Sequence, residues 1–433
     1  MRNVLFLAMV IVFTIVGSIN PFEARADNLP TVKLEDLIKE ALKNNPKIKS
    51  AEAEYKAVES SAPQRGALPD PIIKFEASNI PLDNPRFDGT PMSGFQIGMA
   101  QKFPFPGKQS LAKRAEKFKA EALKHKYKKE VLDLIADIKA EYYQLSYIVK
   151  AKDIFNHYRD DVGSLVDVAI TKYSVGEGIQ QDVLKSQVEL SKVEERLLEI
   201  ERQEKTIRAA INNLLNRNPD YRFGNPDTLG YTHPVYNLAD LEKLIIKHNP
   251  DIKALSSQKE SASLKYKLAK KGYLPDFTLG AGYRLRDKVR GDPVAGIDFF
   301  SVSLSFNLPI YWSSKQDKAV SENAYKLTAA ENQLESVVSD RLYELRRQYF
   351  ELSQYEGEIE LYSEAILPQA EQSLQSAQSG YQVGKVDFMT VFNNLLTLYN
   401  YRIAYYRSLA GYQEALAEIE SLTGIKSLSN IGE

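Results

Sequence analysis

The residues able to do proton-transfer, nucleophilic or metal chemistry are dispersed along this chain. Four histidines, His125, His157, His233 and His248, lie far apart and in no paired ligand spacing. The chain has no cysteine, which excludes a thiol nucleophile, a disulfide, a Cys-bearing metal site and an acylated N-terminal cysteine. No glycine-rich phosphate loop joins a strand to a helix, and the carboxylates are too numerous on helical faces to single out a catalytic pair. The sequence therefore predicts no enzyme, no cofactor and no metal-binding cluster. Its 56 basic and 57 acidic residues nearly cancel, which argues against a general nucleic-acid binder.

What does recur with a functional spacing is a short motif that occurs twice. Tyr173-Ser174-Val175-Gly176 stands before Asp182, and Tyr381-Gln382-Val383-Gly384 stands before Asp387. Glycine at such a place permits a tight reversal after a helix. Asp387 suits the N-cap of the helix that follows. In a symmetric assembly one carboxylate would also become a ring of like charge, which favours cations. The sequence leaves cap and ring both open.

These motifs are positioned by a chain that is written twice. Leu34-Glu35-Asp36-Leu37 with Asn45-Pro46 returns as Leu238-Ala239-Asp240-Leu241 with Asn249-Pro250. Leu68-Pro69-Asp70 returns as Leu274-Pro275-Asp276, and Phe103-Pro104 as Leu308-Pro309. Together with the Tyr-x-Val-Gly motif, these landmarks keep one order and offsets of 204 to 208 residues, which marks a duplicated unit. The expected division is a signal peptide over 1–26, a first repeat over 27–215, an inter-repeat segment over 216–237, a second repeat over 238–422 and a tail over 423–433. The signal peptide rests on Arg2, the apolar run Val4 to Val16 and the small-x-small site Ala24-Arg25-Ala26.

Each half has the layout helix, two strands, very long helix, turn, helix. In the first half the helix starts near Lys33 and is expected to end near Pro63. Strands follow over 72–80 and 94–103, and a proline-free run extends from Gly107 to Tyr173. The second half has a helix over Leu238–Lys271, strands over 276–286 and 298–308, a helix over Lys315–Tyr381 with a kink expected at Pro368, and a helix over Asp387–Leu422. The shorter helices of each half together match the long one, so two continuous and two stacked columns are expected per chain. Heptad-like apolar spacings such as Val131, Leu134, Ile138 and Leu145 suit coiled-coil packing.

The strands alternate strictly. Phe300, Val302, Leu304, Phe306 and Leu308 are interleaved with serines and Asn307, and Phe277, Leu279, Ala281, Tyr283 and Leu285 with Thr278, Gly280, Gly282, Arg284 and Arg286. A half-buried soluble sheet would give the same pattern. Export, strand lengths of about 9–11 residues and aromatics near strand ends (Phe103, Phe105, Tyr283, Tyr311, Trp312) favour a membrane barrel in outer-membrane lipid. Four strands cannot close a barrel, and an open edge is not tolerated in lipid, so several copies must combine.

The duplicated helix–hairpin–helix layout, with Tyr173-x-Val175-Gly176, Asp182-Val183-Leu184 and Tyr381-x-Val383-Gly384, resembles the outer membrane efflux protein family, also called the TolC family. The resemblance covers essentially the whole mature chain. It implies a mainly α fold with a transmembrane part: a homotrimer whose 12-stranded β-barrel continues as a 12-column α-helical barrel across the periplasm. It also implies two partners, a periplasmic adaptor (membrane fusion) protein and an inner-membrane pump, and a duct that conducts substrate without chemistry. Leu68-Pro69-Asp70-Pro71 leading to Phe75-Glu76-Ala77-Ser78-Asn79, and Gln101-Lys102-Phe103-Pro104-Phe105-Pro106-Gly107-Lys108, resemble the branch that serves cation-exporting resistance-nodulation-division pumps. By position in the family, Val175, Gly176, Val383 and Gly384 would contact the adaptor, and Asp182, Tyr381, Asp387, Thr390 and Asn393 would form the periplasmic tip and gate. Thr390 and Asn393 stand where the family pattern has aspartates, so an acidic ring there is not supported by this sequence. Drug efflux or type I protein secretion through the same kind of duct are the near alternatives, and a soluble periplasmic coiled-coil scaffold the distant one.

Overall fold

A computed structural model describes residues 30–83, 85–231, 237–291, 293–294 and 296–425. The signal-peptide expectation over 1–26, His233 and most of the tail lie outside them. The elements in order are α1 (Leu34–Asn44), α2 (Pro46–Gly66), β1 (Ile72–Ser78), β2 (Gly94–Phe103), α3 (Lys108–Ser174), α4 (Gln180–Leu214), α5 (Leu238–His248), α6 (Pro250–Lys270), β3 (Phe277–Leu285), β4 (Phe299–Phe306), α7 (Gln316–Leu361), α8 (Leu367–Gln382) and α9 (Phe388–Thr423). Among the described residues, no helix is long and apolar enough to cross a membrane.

α3 is a single helix of 67 residues, about 100 Å long at 1.5 Å per residue. α2, α4, α6 and α9 all pack against it. Its second-half counterpart is not continuous: α7 passes through a π-turn at Tyr362–Ile366 into α8, with Pro368 in the first turn of α8. Proline at that place has no N–H to give the carbonyl four residues back. The wider π-turn absorbs the break, so the expected irregularity falls just before the proline.

Two helix boundaries differ from the sequence reading, for one reason. The first helix is divided into α1 and α2, and the helix at Leu238–Lys271 into α5 and α6. The residue before proline is driven out of the α region. Asn45 (ψ 124) and Asn249 (ψ 126) are accordingly extended, and each caps the helix that its Asn-Pro pair opens. α2 also runs past Pro63 to Gly66.

The same asparagines join the stacked columns. Asn45 Oδ1 accepts the Lys47 amide at 2.9 Å, while its Nδ2 donates to the Leu214 carbonyl at the end of α4, also at 2.9 Å. Asn249 Oδ1 accepts the amides of Asp251 and Ile252, and its Nδ2 donates to the Leu422 carbonyl of α9 at 2.8 Å. The columns are thus α2 on α4 and α6 on α9. α1 and α5 leave them and pack at the waist, where Leu37 and Ala41 meet Leu134, Ile138, Ile211 and Leu215, and Leu241 and Ile245 meet Leu345, Ile419 and Leu422.

The strands form one antiparallel sheet in the order β1-β2-β3-β4. One face is apolar and open: Ile73, Phe75, Ile97, Met99, Leu279, Tyr283, Val302 and Leu304 are between 43% and 67% exposed. Leaving so much contiguous apolar surface in water is unfavourable, and lipid is the solvent that suits it. The other face is polar, with Arg284 Nη2 donating to Ser78 Oγ at 2.6 Å and Lys74 paired with Glu76 at 2.5 Å. β1 and β4 are the two free edges.

Candidate functional site: the paired helix-reversal tips

The far end of the helical bundle is made by two reversals with the same backbone chemistry. After α3, Gly176 takes a left-handed φ of 79°, its amide donates to the Tyr173 carbonyl at 3.1 Å, and the Glu177 amide donates to the Lys172 carbonyl at 2.9 Å. After α8, Gly384 has φ 71°, its amide donates to Tyr381 at 3.1 Å, and the Lys385 amide donates to Gly380 at 2.9 Å. This is the paired hydrogen-bond pattern of a glycine-terminated helix, in which a side chain at the glycine would be strained.

The two reversals converge on one crevice of about 290 Å³, lined by Lys172, Glu177, Asp182, Tyr381, Asp387 and Phe388 among others. Lys172 Nζ sits 3.9 Å from the centroid of the Tyr381 ring, and Phe388 meets the same ring edge-on at 6.0 Å. A cation over an aromatic face is worth about 0.5–1 kcal/mol where solvent reaches it. Lys172 was not legible as a site residue in the sequence, because its partner lies across the chain duplication. The shared geometry of the two turns carried no hint of a tyrosine beneath a lysine.

Asp182 and Asp387 differ. Asp387 is the N-cap of α9: its Oδ1 accepts the Thr390 amide at 2.7 Å. Hydrogen bonds from the Thr390 amide, the Thr390 side chain and the Met389 amide hold its carboxyl below the usual carboxylate range. The corresponding cap of α4 is Ile179, which has no side chain able to accept, and Asp182 lies one turn further in. Thr390 and Asn393 do not join the crevice. They are exposed on α9 in a polar row continued by Thr397 and Asn400.

Val175 and Val383 are the most exposed large apolar side chains of the tips, at 65% and 67%. Behind the tips lies the core of the lower bundle, with Tyr158, Val162, Val166, Val193, Val391, Phe392 and Leu395 buried together. Tyr399 Oη donates to Asp161 Oδ2 at 2.7 Å, tying α9 to α3, and Tyr158 and Tyr399 have ring centroids 4.8 Å apart. Among the described residues no group of three or more histidine or acidic side chains is arranged to hold a metal ion.

The comparisons agree with this architecture. The outer membrane efflux protein family matches twice, over residues 37–217 and 241–425. No curated protein sequence matches the chain. Among solved structures, the chain is similar to CusC (14% identity, 92% of this chain and 94% of that one, TM-score 0.79). It is also similar to the outer-membrane channel OprN (16%, 90% and 89%, TM-score 0.77). VceC from Vibrio cholerae gives 20% identity, 91% and 97% coverage and a TM-score of 0.76. The chain belongs to the outer membrane efflux protein family: it is an outer-membrane efflux duct subunit, contributing four strands to a trimeric β-barrel and its helices to the periplasmic α-barrel beneath.

Proposed function

We propose that three copies form the passive exit duct of a tripartite pump, that the tips dock a periplasmic adaptor coupled to an inner-membrane resistance-nodulation-division pump, and that the cargo is heavy-metal cations. The observation that carries the docking reading is the openness of both tips. Val175 and Val383 project into solvent, and nothing lies within 4 Å of the place a side chain would occupy at Gly176 or Gly384. Another chain can therefore approach the backbone of both reversals and cover an apolar side chain at each.

In the same reading Asp182, Tyr381, Asp387, Thr390 and Asn393 form the gate. Asp387 acts there first as a helix cap, and the row of Thr390 and Asn393 gives the constriction a neutral hydrogen-bonding lining. The cation cargo is supported by the two sequence signatures over 68–79 and 101–108.

Because the chain has no cysteine, single Val175→Cys and Val383→Cys variants carry one thiol each. A thiol-specific photocrosslinker at either position should capture the adaptor in intact cells, and a cysteine at Glu201, midway along α4, should not. Capture from Glu201 but from neither valine would overturn the docking reading. For cargo, a deletion strain should become sensitive to metal ions; sensitivity confined to organic compounds would end the metal assignment.

A further inference from the structure

The duplication makes the two strand–helix junctions of one chain comparable, and only one of them is complete. Asp276, in the second Leu-Pro-Asp, is bound by the first half. Its Oδ1 accepts the Phe105 amide at 2.9 Å and Lys108 Nζ at 2.7 Å, and Lys102 Nζ lies 3.5 Å from Oδ2. Lys108 also donates to the Leu274 carbonyl at 2.8 Å. Both side chains of the central pair are largely buried, at 15% and 16% exposure. This clamp fixes the end of β2 and the start of α3 against the entry of β3.

Asp70, in the first Leu-Pro-Asp, is exposed and has no hydrogen bond or ion pair within the described chain. The counterpart of Lys108-Gln109 at the start of the other long helix is Lys315-Gln316, and the Lys315 side chain is likewise exposed and without a partner there. The two halves of a clamp are present at opposite edges of the same sheet.

The strand registers show how they would meet. Ile73↔Met99 in the first hairpin and Leu279↔Leu304 in the second are the same pair, moved by 206 residues on one strand and 205 on the other. Applying those offsets to the observed β2–β3 pairing gives the missing pairing of β4 with β1 of another copy. Met99↔Ala281 becomes Leu304↔Phe75, and Ile97↔Tyr283 becomes Val302↔Ala77. Each of these pairs puts apolar opposite apolar on the open face. A slip of one residue would set Phe75 opposite Ser303 or Ser305, turning one strand's lipid face inward.

We propose that the boundary between subunits is closed by this register and locked by a salt bridge between Asp70 of one copy and Lys315 of the next, a repeat of the clamp between Asp276 and Lys108 inside each chain. The partner is a second copy of this chain. The inference rests on the ring-forming duct described above and adds the register and the lock to it. Each boundary then has the same base, so alternate junctions around the ring are held by covalent continuity of one chain and by this ion pair in turn.

The test uses the full chain in detergent. Phe75→Cys with Leu304→Cys should give disulfide-linked dimers and trimers on oxidation. Within one sheet residues 75 and 304 are separated by three strand spacings, about 14 Å, and by four residues along the strands, so the link cannot form inside a chain. Phe75→Cys with Phe300→Cys, four residues out of register, should remain monomeric on denaturing gels. For the lock, Asp70→Lys and Lys315→Asp should each lower the temperature at which the native oligomer dissociates, and the double reversal should recover at least about half of the loss, as a direct pair requires. Linking in the displaced pair, or a double reversal no better than either single one, would overturn the proposal. The native mass of the unmodified protein separates the two readings: a monomer there would refute the ring itself, whereas an intact trimer whose Phe75→Cys, Leu304→Cys variant forms no disulfide refutes only this boundary.

Discussion

α3 and the α7–α8 column occupy equivalent places in the duplicated unit, yet below the waist they are built for different work. α3 runs unbroken and buries Ala151, Ile154, Tyr158, Val162, Val166 and Ala169 on the way to its tip. α8 starts from a π-turn and buries two side chains, Leu374 and Ala377. Its hydrogen bonds to α9 are exposed, Ser373 with Asn394 at 2.7 Å and Glu371 with Arg402 at 2.8 Å, beside the apolar contacts of Leu374 and Ala377 and the Tyr381–Phe388 ring contact at the tip. α3 is tied to α9 by a packed core and by the Asp161–Tyr399 bond. The same sequence template has therefore become a fixed column in one half and a lightly held arm in the other. Segments with few buried apolar contacts open at the lowest free energy, so motion at the tip should begin in α8.

The largest test of that contrast compares core truncations. Ile154→Ala should cost about 2–5 kcal/mol, because the surrounding helices cannot collapse onto the space. Leu374→Ala should cost less than half as much, read as the two shifts in melting temperature of the detergent-solubilised protein. Equal shifts would mean that α8 is as much a part of the core as α3. Next come the ties themselves. Tyr399→Phe removes a hydrogen bond to a carboxylate and should cost about 1–3 kcal/mol, whereas Arg402→Ala, at an exposed ion pair, should cost under about 1 kcal/mol. The reverse ranking would place the stronger attachment on the arm.

The column joints offer a control in which the halves should not differ. Asn45 and Asn249 cap in the same way, Asn249 accepting one further amide, and make the same cross-column bond. Replacing either by alanine should cost about 1–2 kcal/mol, and the two values should agree closely. A large disparity would show that the two joints carry different loads despite their geometry.

Much of this was legible in the sequence, and what was not has physical causes. The strand pairs were readable because a period of two in Phe300–Leu308 or Phe277–Leu285 has no helical alternative, and α3 because nothing in 108–162 interrupts a helix. The division at Asn45 and Asn249 carries a local signal too, since each Asn-Pro pair is an N-cap with proline at the next position as well as a landmark of the repeat. The break in the α7–α8 column is legible from Pro368, and it falls at Tyr362–Ile366 because proline disturbs hydrogen bonds one turn upstream of itself. At the tip, the reversals and the cap at Asp387 followed from local residue types. The crevice did not, since Lys172 and Tyr381 meet only after α3 and α8 have packed.

The smallest expected effect is a change of slope with pH, and it tests how firmly α9 is seated on α3. Glu414 of α9 faces α3, where Gln144 Nε2 donates to its Oε1 at 2.5 Å. Burial raises its pKa, the Gln144 bond lowers it and the charge of Glu141 raises it again, so that it is pushed up to about 7 from 4.5. Glu418, on the same face, is raised as well, chiefly by burial. The folded protein thus binds the Glu414 proton more tightly than the unfolded chain does. Its contribution to stability is complete below about pH 4.5 and is lost progressively as the pH rises to about 7. Glu414→Gln keeps the bond to Gln144 and removes the titration, so its melting temperature should fall less between pH 5 and pH 8 than that of the unmodified protein. Parallel curves would mean that water reaches Glu414 freely, and that the seam between α9 and the fixed column is as loose as the one beside the arm.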